Sequence, residues 1–230
     1  MKKILALMAA VLLAFALAGC DGEPTGQTPI EDNLGTPDIQ TAAHIETLNE
    51  GDSVIEYVEV SGLPDIAVQD ALNEEMKTFF TWVLVDLESA DKTVEVLAEY
   101  EIIGNRYISI RAYDLEIFEG AAHPATNLRA NTYDLITGDA VLLDAFIADI
   151  NGIKALDDSI FAPQVIEELV PAALEKLKGS LGSNSTFYLL QDRIGFSIEG
   201  ENHATGDYWV FEVSYADISD LLTAAYQALI

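Results

Sequence analysis

The stretch Thr93-Val94-Glu95-Val96-Leu97-Ala98-Glu99-Tyr100-Glu101-Ile102, continued through Gly104-Asn105 into Tyr107-Ile108-Ser109-Ile110-Arg111-Ala112, decides the fold. Val94, Val96, Ala98, Tyr100 and Ile102 alternate with Glu95, Leu97, Glu99 and Glu101. A period of two belongs to a strand with one face in a core and the other in water. Gly104-Asn105 reads as a tight turn, since both residue types accept the backbone conformations that short hairpins need. Residues 93–118 are therefore expected to form a long antiparallel hairpin.

Upstream, residues 53–60 are rich in Val, Ile and Tyr and read as a strand, which turns at Gly62-Leu63-Pro64-Asp65. Asp65 can cap the helix that follows, where Val68, Leu72, Met76, Phe79 and Val83 recur at helical spacing. Downstream, an irregular connection at 120–127 leads to a strand at 128–135. The turn Thr137-Gly138-Asp139 follows, then mixed helical sequence at 145–160. A helix is expected from Pro163, kinked or split by Pro171 and stopped by Gly179. Strands at 186–190, 193–198 and 208–215 precede a closing helix after Asp217. Trp82 and the aromatic row Trp209, Phe211 and Tyr215 read as core. Grouped strands and helices give an α+β class, with antiparallel sheets and packed helices in two intimately associated halves, 51–119 and 120–230.

The N-terminus has a different character. Lys2 and Lys3 precede an apolar run over residues 4–17, too short for a bilayer, that ends in Leu17-Ala18-Gly19-Cys20. Residues 1–19 read as a signal peptide, and the ending resembles a bacterial lipobox, in which Cys20 is acylated. Cys20 is the sole cysteine, so it has no partner for a disulfide and suits an anchor. Residues 20–50, rich in Gly, Pro, Thr, Asp and Glu, read as a flexible linker. The expected location is the extracytoplasmic face of a bacterial membrane, held there through Cys20.

The chain carries 11 Lys and Arg against 39 Asp and Glu, a formal charge of −28. Loss of Lys2 and Lys3 with the signal leaves 9 against 39, about −30. Such a surface repels nucleic acid and draws cationic partners at salt-dependent rates. No nucleic-acid partner is expected.

The catalytic inventory is thin. There is no His-Glu-x-x-His, no phosphate-cradling glycine loop and no Gly-x-Ser-x-Gly. His123, His203 and a carboxylate such as Asp134 or Asp207 have the chemistry of a Zn²⁺ ligand set if the fold brings them together. The plainer reading of His123 is a turn residue that hydrogen-bonds local backbone, and of Asp134 and Asp144 that they satisfy turn and cap amides. No cofactor is expected, and a metal is left open.

Three stretches carry a likeness. Tyr57-Val58-Glu59-Val60-Ser61-Gly62-Leu63, with Val68-Gln69-Asp70-Ala71-Leu72-Asn73, is the first. Gly120-Ala121-Ala122-His123-Pro124, Tyr133-Asp134-Leu135-Ile136-Thr137-Gly138 and Leu143-Asp144-Ala145-Phe146 form the second, and residues 199–206 the third. Together they resemble a domain of unknown function in bacterial exported proteins. That module is shared by the extracytoplasmic part of RsiV-type lysozyme-binding anti-sigma factors and the N-terminal region of PdaC-type peptidoglycan deacetylases. In the third stretch Asn202-His203 stand where relatives read Pro-Tyr, in a loop that belongs to the partner surface of the lysozyme receptor. The resemblance implies a non-catalytic binding module of the cell envelope, with lysozyme, another cationic protein or cell-wall glycan as ligand. The contact residues it points to are His123, Asn202, His203, Ala204, Thr205 and Gly206. The alternative is an envelope enzyme, metal-dependent or not, acting on peptidoglycan or a related polymer.

Overall fold

The computed structural model describes residues 41–85, 92–165, 167–202 and 206–230. Cys20 and residues 1–19, expected to be a signal peptide, lie outside these, as do His203, Ala204 and Thr205. Asn202 and Gly206 are described only through their backbone pairing.

The hairpin forms as its alternation requires. Strand β3 (Lys92–Ile103) pairs antiparallel with β4 (Tyr107–Phe118) along its whole length. Gly104 and Asn105 both take positive φ, 55° and 51°, and Arg106 N–H closes the turn on the Ile103 carbonyl at 2.9 Å. The buried row Val94, Val96 and Ala98 meets Ile108, Ile110 and Ala112 under helix α1 (Ile66–Thr81). Asp65 caps α1 with Oδ1 accepting from the Ala67 and Val68 amides at 2.9 and 3.4 Å. Leu72, Met76 and Phe80, one turn apart, are its buried stripe. Asn73 ties the helix to the preceding strand β2 (Ser53–Ser61), accepting from Val60 N–H at 2.8 Å and donating to Val60 C=O at 3.0 Å.

Two expectations about this half are corrected. Residues 42–50 are not linker but strand β1 (Ala42–Glu50), laddered antiparallel to β2 from Ala42↔Ser61 to Glu50↔Ser53. The strand escapes notice in the sequence because it is an edge. Ala43 and Leu48 alone pack partly against the core, so its periodicity is faint. The boundary at 119 also moves, because strand β5 (Ala125–Asp134) pairs with β4 from Tyr107↔Asp134 to Glu116↔Ala125. The Gly120–Pro124 segment is thus a hairpin connection inside the first half. The resulting five-stranded sheet runs β1-β2-β3-β4-β5 and is antiparallel except for β2 and β3, which α1 joins in a parallel crossover.

The second half is a four-stranded antiparallel sheet in the order β6-β9-β8-β7. Its strands are β6 (Ala162–Gln164), β7 (Phe187–Leu189), β8 (Arg193–Asn202) and β9 (Gly206–Ser214). Pro163 does not start a helix; it pairs with Phe211 on the edge strand β6, where a residue without N–H is tolerated. A short helix α2 (Ile150–Lys154) precedes it, and α3 (Val170–Ser180) follows, taking Pro171 into its first turn, where no amide is needed. Gly179 lies inside α3, which ends at Ser180 with Leu181 as its cap. The closing helix shrinks to 3-10 turns and the one-turn α4 (Ala224–Gln227). Trp209, Phe211, Val213 and Tyr215 are buried together with Ala173, Leu174 and Leu177 of α3, as the aromatic row predicts.

The two sheets meet where Leu128, Tyr188 and Val210 form a small cluster of their own. Tyr188 lies flat over Gly195, whose absent side chain makes the room: a Cβ there would fall 2.1 Å from Tyr188 Cζ. Beside it, buried Ser109 of β4 accepts the Leu189 amide of β7 at 2.9 Å and the Thr132 hydroxyl at 3.1 Å.

Candidate functional site

Of the sequence-derived ligand candidates, His123 and Asp134 have described side chains, and the fold does not bring these two together. His123 is exposed in the connection before β5, while Asp134 is the last residue of that strand. Ten strand residues at a rise of about 3.3 Å hold the two roughly 30 Å apart. Asp134 is occupied as well. Its Oδ1 accepts from the Ile136 amide at 2.8 Å, and its Oδ2 from Arg106 Nε and Nη2 at 3.0 and 2.6 Å. Gly138, at φ 78°, brings its amide back to the Asp134 carbonyl at 2.7 Å, so the Tyr-Asp-Leu-Ile-Thr-Gly motif is a self-satisfied turn. His123 makes no hydrogen bond with any described residue, so the expected bond to local backbone is not formed. Asp144 is exposed and caps no amide. Among the described residues no three His, Cys, Asp or Glu side chains group as a metal site, and no helix is long and apolar enough to cross a membrane.

What the fold does build is a groove of about 530 Å³ along the outer edge of β5. Its floor runs from Asn127 to Ala130. Phe79 and Trp82, at the end of α1, form one wall; Ser197 and Glu199 of β8 and Tyr208 of β9 form the other. Asn127 lies on the strand that leaves the His123 segment, and Tyr208 on the strand that begins at Gly206. Both sequence motifs therefore feed strands that line this groove.

Trp82 was expected in the core and is instead 59% exposed. The helix delivers it to the surface because Phe80 and Val83 already fill the core side of this last turn. Arg129 lies beneath the aromatic wall, with its guanidinium 4.8 Å from the Phe79 ring and 5.6 Å from that of Trp82. Arg129 also donates to the carbonyls of Phe79 and Phe80, satisfying the end of the helix. Its charge is balanced by Asp114, whose pKa burial raises against the lowering effect of the Arg129 hydrogen bonds.

A second surface lies on the outer face of the first sheet. The second sheet covers this face only over β4 and β5, leaving Glu95, Leu97 and Glu99 of β3 in solvent, with Leu97 51% and Ile117 42% exposed. Arg111 pairs with Glu99 at 2.8 Å and stacks on Tyr188 at 4.7 Å. Glu101 accepts from Gln191 Nε2 at 2.6 Å, and Glu95 has no ion pair among the described residues.

No family model matches the sequence, and no curated protein does. Solved structures do. A member of the DUF3298 family from Bacteroides fragilis NCTC 9343 superposes with a TM-score of 0.53 at 15% identity, over 80% of this chain and 94% of that one. A DUF3298 family protein from Pseudomonas aeruginosa PAO1 gives a TM-score of 0.42 at 11% identity, over 80% and 92%. The likeness to the first shows a shared fold.

Proposed function

We propose that this chain is a lipid-anchored, extracytoplasmic binding module of the bacterial cell envelope that holds a cationic protein. Acylation of Cys20 supplies the anchor. The observation that carries the reading is the acidic outer face of β3. Glu95, Glu99 and Glu101 share this face with the exposed Leu97 and with Ile117 on the neighbouring strand, and Arg111 offsets only Glu99, so the apolar contact has a net negative border. That composition suits a partner whose contact patch is apolar at its centre and basic at its rim. A second copy of this chain is disfavoured, because the same carboxylates would meet one another. Lysozyme is the cationic protein that the family resemblance names.

The reading is tested by expressing the full chain and its Cys20→Ser variant in a bacterium. Labelled palmitate should enter the wild type alone, and only the wild type should stay with membranes. Membranes bearing the wild type should retain a basic lysozyme at physiological salt. Equal fractionation of the two chains contradicts the anchor, and lack of retention contradicts the partner.

A further inference from the structure

We infer that the groove along β5 is a strand-addition site, which takes an extended peptide with basic side chains as a further strand of the first sheet. Thr132 and Asp134 turn both of their main-chain groups away from β4. The Thr132 amide donates to the Asn131 side chain at 2.9 Å, and its carbonyl accepts from Val141 at 2.8 Å. The Asp134 amide donates to Asp139 at 3.0 Å, and its carbonyl accepts from Gly138 at 2.7 Å.

Antiparallel pairing alternates with a period of two, so Leu128 and Ala130 turn their amides and carbonyls the same way, out of the sheet. The segment Ala140–Val141 covers the edge only at its far end, with Tyr133 bridged to Ala140. No hydrogen bond joins the outward groups of Leu128 and Ala130 to any described residue. Both residues line the groove.

Exposed sheet edges invite strand pairing, and proteins normally blunt them with charges, proline or brevity. The other edges here follow that rule. Strand β1 carries His44, Glu46 and Glu50, and β6 is three residues long with Pro163 at its centre. Strand β5 has ten residues and no proline, and its one cation, Arg129, is turned inward onto Asp114. Instead of being blunted, this edge is walled by Phe79 and Trp82 on one side and by Tyr208 and Glu199 on the other.

A walled, hydrogen-bond-hungry edge is the arrangement in which a peptide gains affinity from main-chain bonds and selectivity from flanking side chains. From Asn127 to Ala130 the floor is about 10 Å long, room for three to four residues of strand. Exposed Glu199, the carboxylate in the groove lining, on a chain of formal charge −28, favours cationic side chains, while the exposed indole of Trp82 offers a face for their stems or charges. This site is separate from the acidic face of β3, and either can fail without the other.

The test is fluorescence anisotropy with the full-length chain at physiological salt, using labelled acetyl-Lys-Val-Lys-Val-Lys-Val-Lys-amide and the same peptide N-methylated at every residue. Wild type should bind the first and lose at least tenfold in affinity for the second, which keeps the charge and removes the main-chain N–H of every residue. Ala130→Pro removes one outward N–H that the fold does not use, and Trp82→Ala removes part of a wall; each should weaken binding at least tenfold with an unchanged circular dichroism spectrum. Glu95→Lys with Glu101→Lys should leave peptide binding within twofold. Equal binding of the methylated peptide, or binding that physiological salt abolishes, overturns the inference. So does a chito-oligosaccharide that quenches Trp82 while the peptide does not bind, which would make the groove a sugar site.

Discussion

Arg129 grips Asp114 with two hydrogen bonds, Nε to Oδ2 at 2.6 Å and Nη2 to Oδ1 at 2.7 Å, and the carboxylate it holds is 1% exposed. The pair crosses from β5 to β4, and the same guanidinium caps the end of α1. One side chain thus joins sheet, helix and groove wall.

Removing one member of a buried pair strands the other. Arg129→Met should cost about 3–5 kcal/mol at neutral pH, read from urea unfolding. The pH dependence follows from Asp114. Its folded pKa is raised by burial, so the folded state binds more protons than the unfolded state, and stability grows as pH falls. Loss of Arg129 removes the opposing influence, so the variant should regain stability on mild acidification more steeply than wild type. A variant deficit that does not shrink toward acid contradicts this assignment.

Gly195→Ala places a methyl group inside the Tyr188 ring and should cost about 1–3 kcal/mol or more. It should also break the 2.8 Å bond from the Tyr188 hydroxyl to Glu212. Thermal melts of Gly195→Ala, Tyr188→Ala and the double variant should show clear non-additivity, because the second change removes the ring that the first one strikes. Simple additivity would mean that the ring and the glycine are not in contact.

Ser109→Ala leaves the buried Leu189 amide without an acceptor, at a cost of about 1–3 kcal/mol. Hydrogen exchange at Leu189 should accelerate selectively, with the β3–β4 hairpin amides changing no more than the global stability loss requires. Uniform acceleration would show that the hydroxyl does not join the sheets.

Burial holds the phenols of Tyr113, Tyr133 and Tyr226 up to about 12, and those of Tyr188 and Tyr215 are also raised. A folded pKa above the unfolded value of about 10 means that this contribution is intact below pH 10 and is lost as pH rises through 12. Absorbance titration should show these tyrosines ionising late and together with unfolding. Normal titration of all nine tyrosines near pH 10 in a folded chain would refute their burial.

The hairpin, α1 with its Asp65 cap and the aromatic row of β9 were legible because their signals are local: alternation, helical spacing and a capping oxygen. Strand β1 was not, since an edge strand with most side chains in water has little pattern to show. The helix expected from Pro163 failed for a tertiary reason, as Phe211 pairs with that residue and the helical start passes to Pro171. Trp82 looked like core because it follows a core-facing helix, and only the filled positions at Phe80 and Val83 turn it outward. The groove was illegible for the same reason. Its floor, walls and unpaired main-chain groups come from α1, β5, β8 and β9, which no local spacing relates. His123 and Asp134 share a motif in sequence, yet a whole strand separates them.

Whether the acidic face of β3 holds a cationic protein is read most directly by calorimetric titration of the full-length chain with a basic lysozyme. Binding should be saturable and one-to-one, survive physiological salt and weaken at least tenfold in Glu95→Lys with Glu101→Lys. Heat that vanishes with salt, or an affinity unchanged by that charge reversal, would contradict the proposed binding.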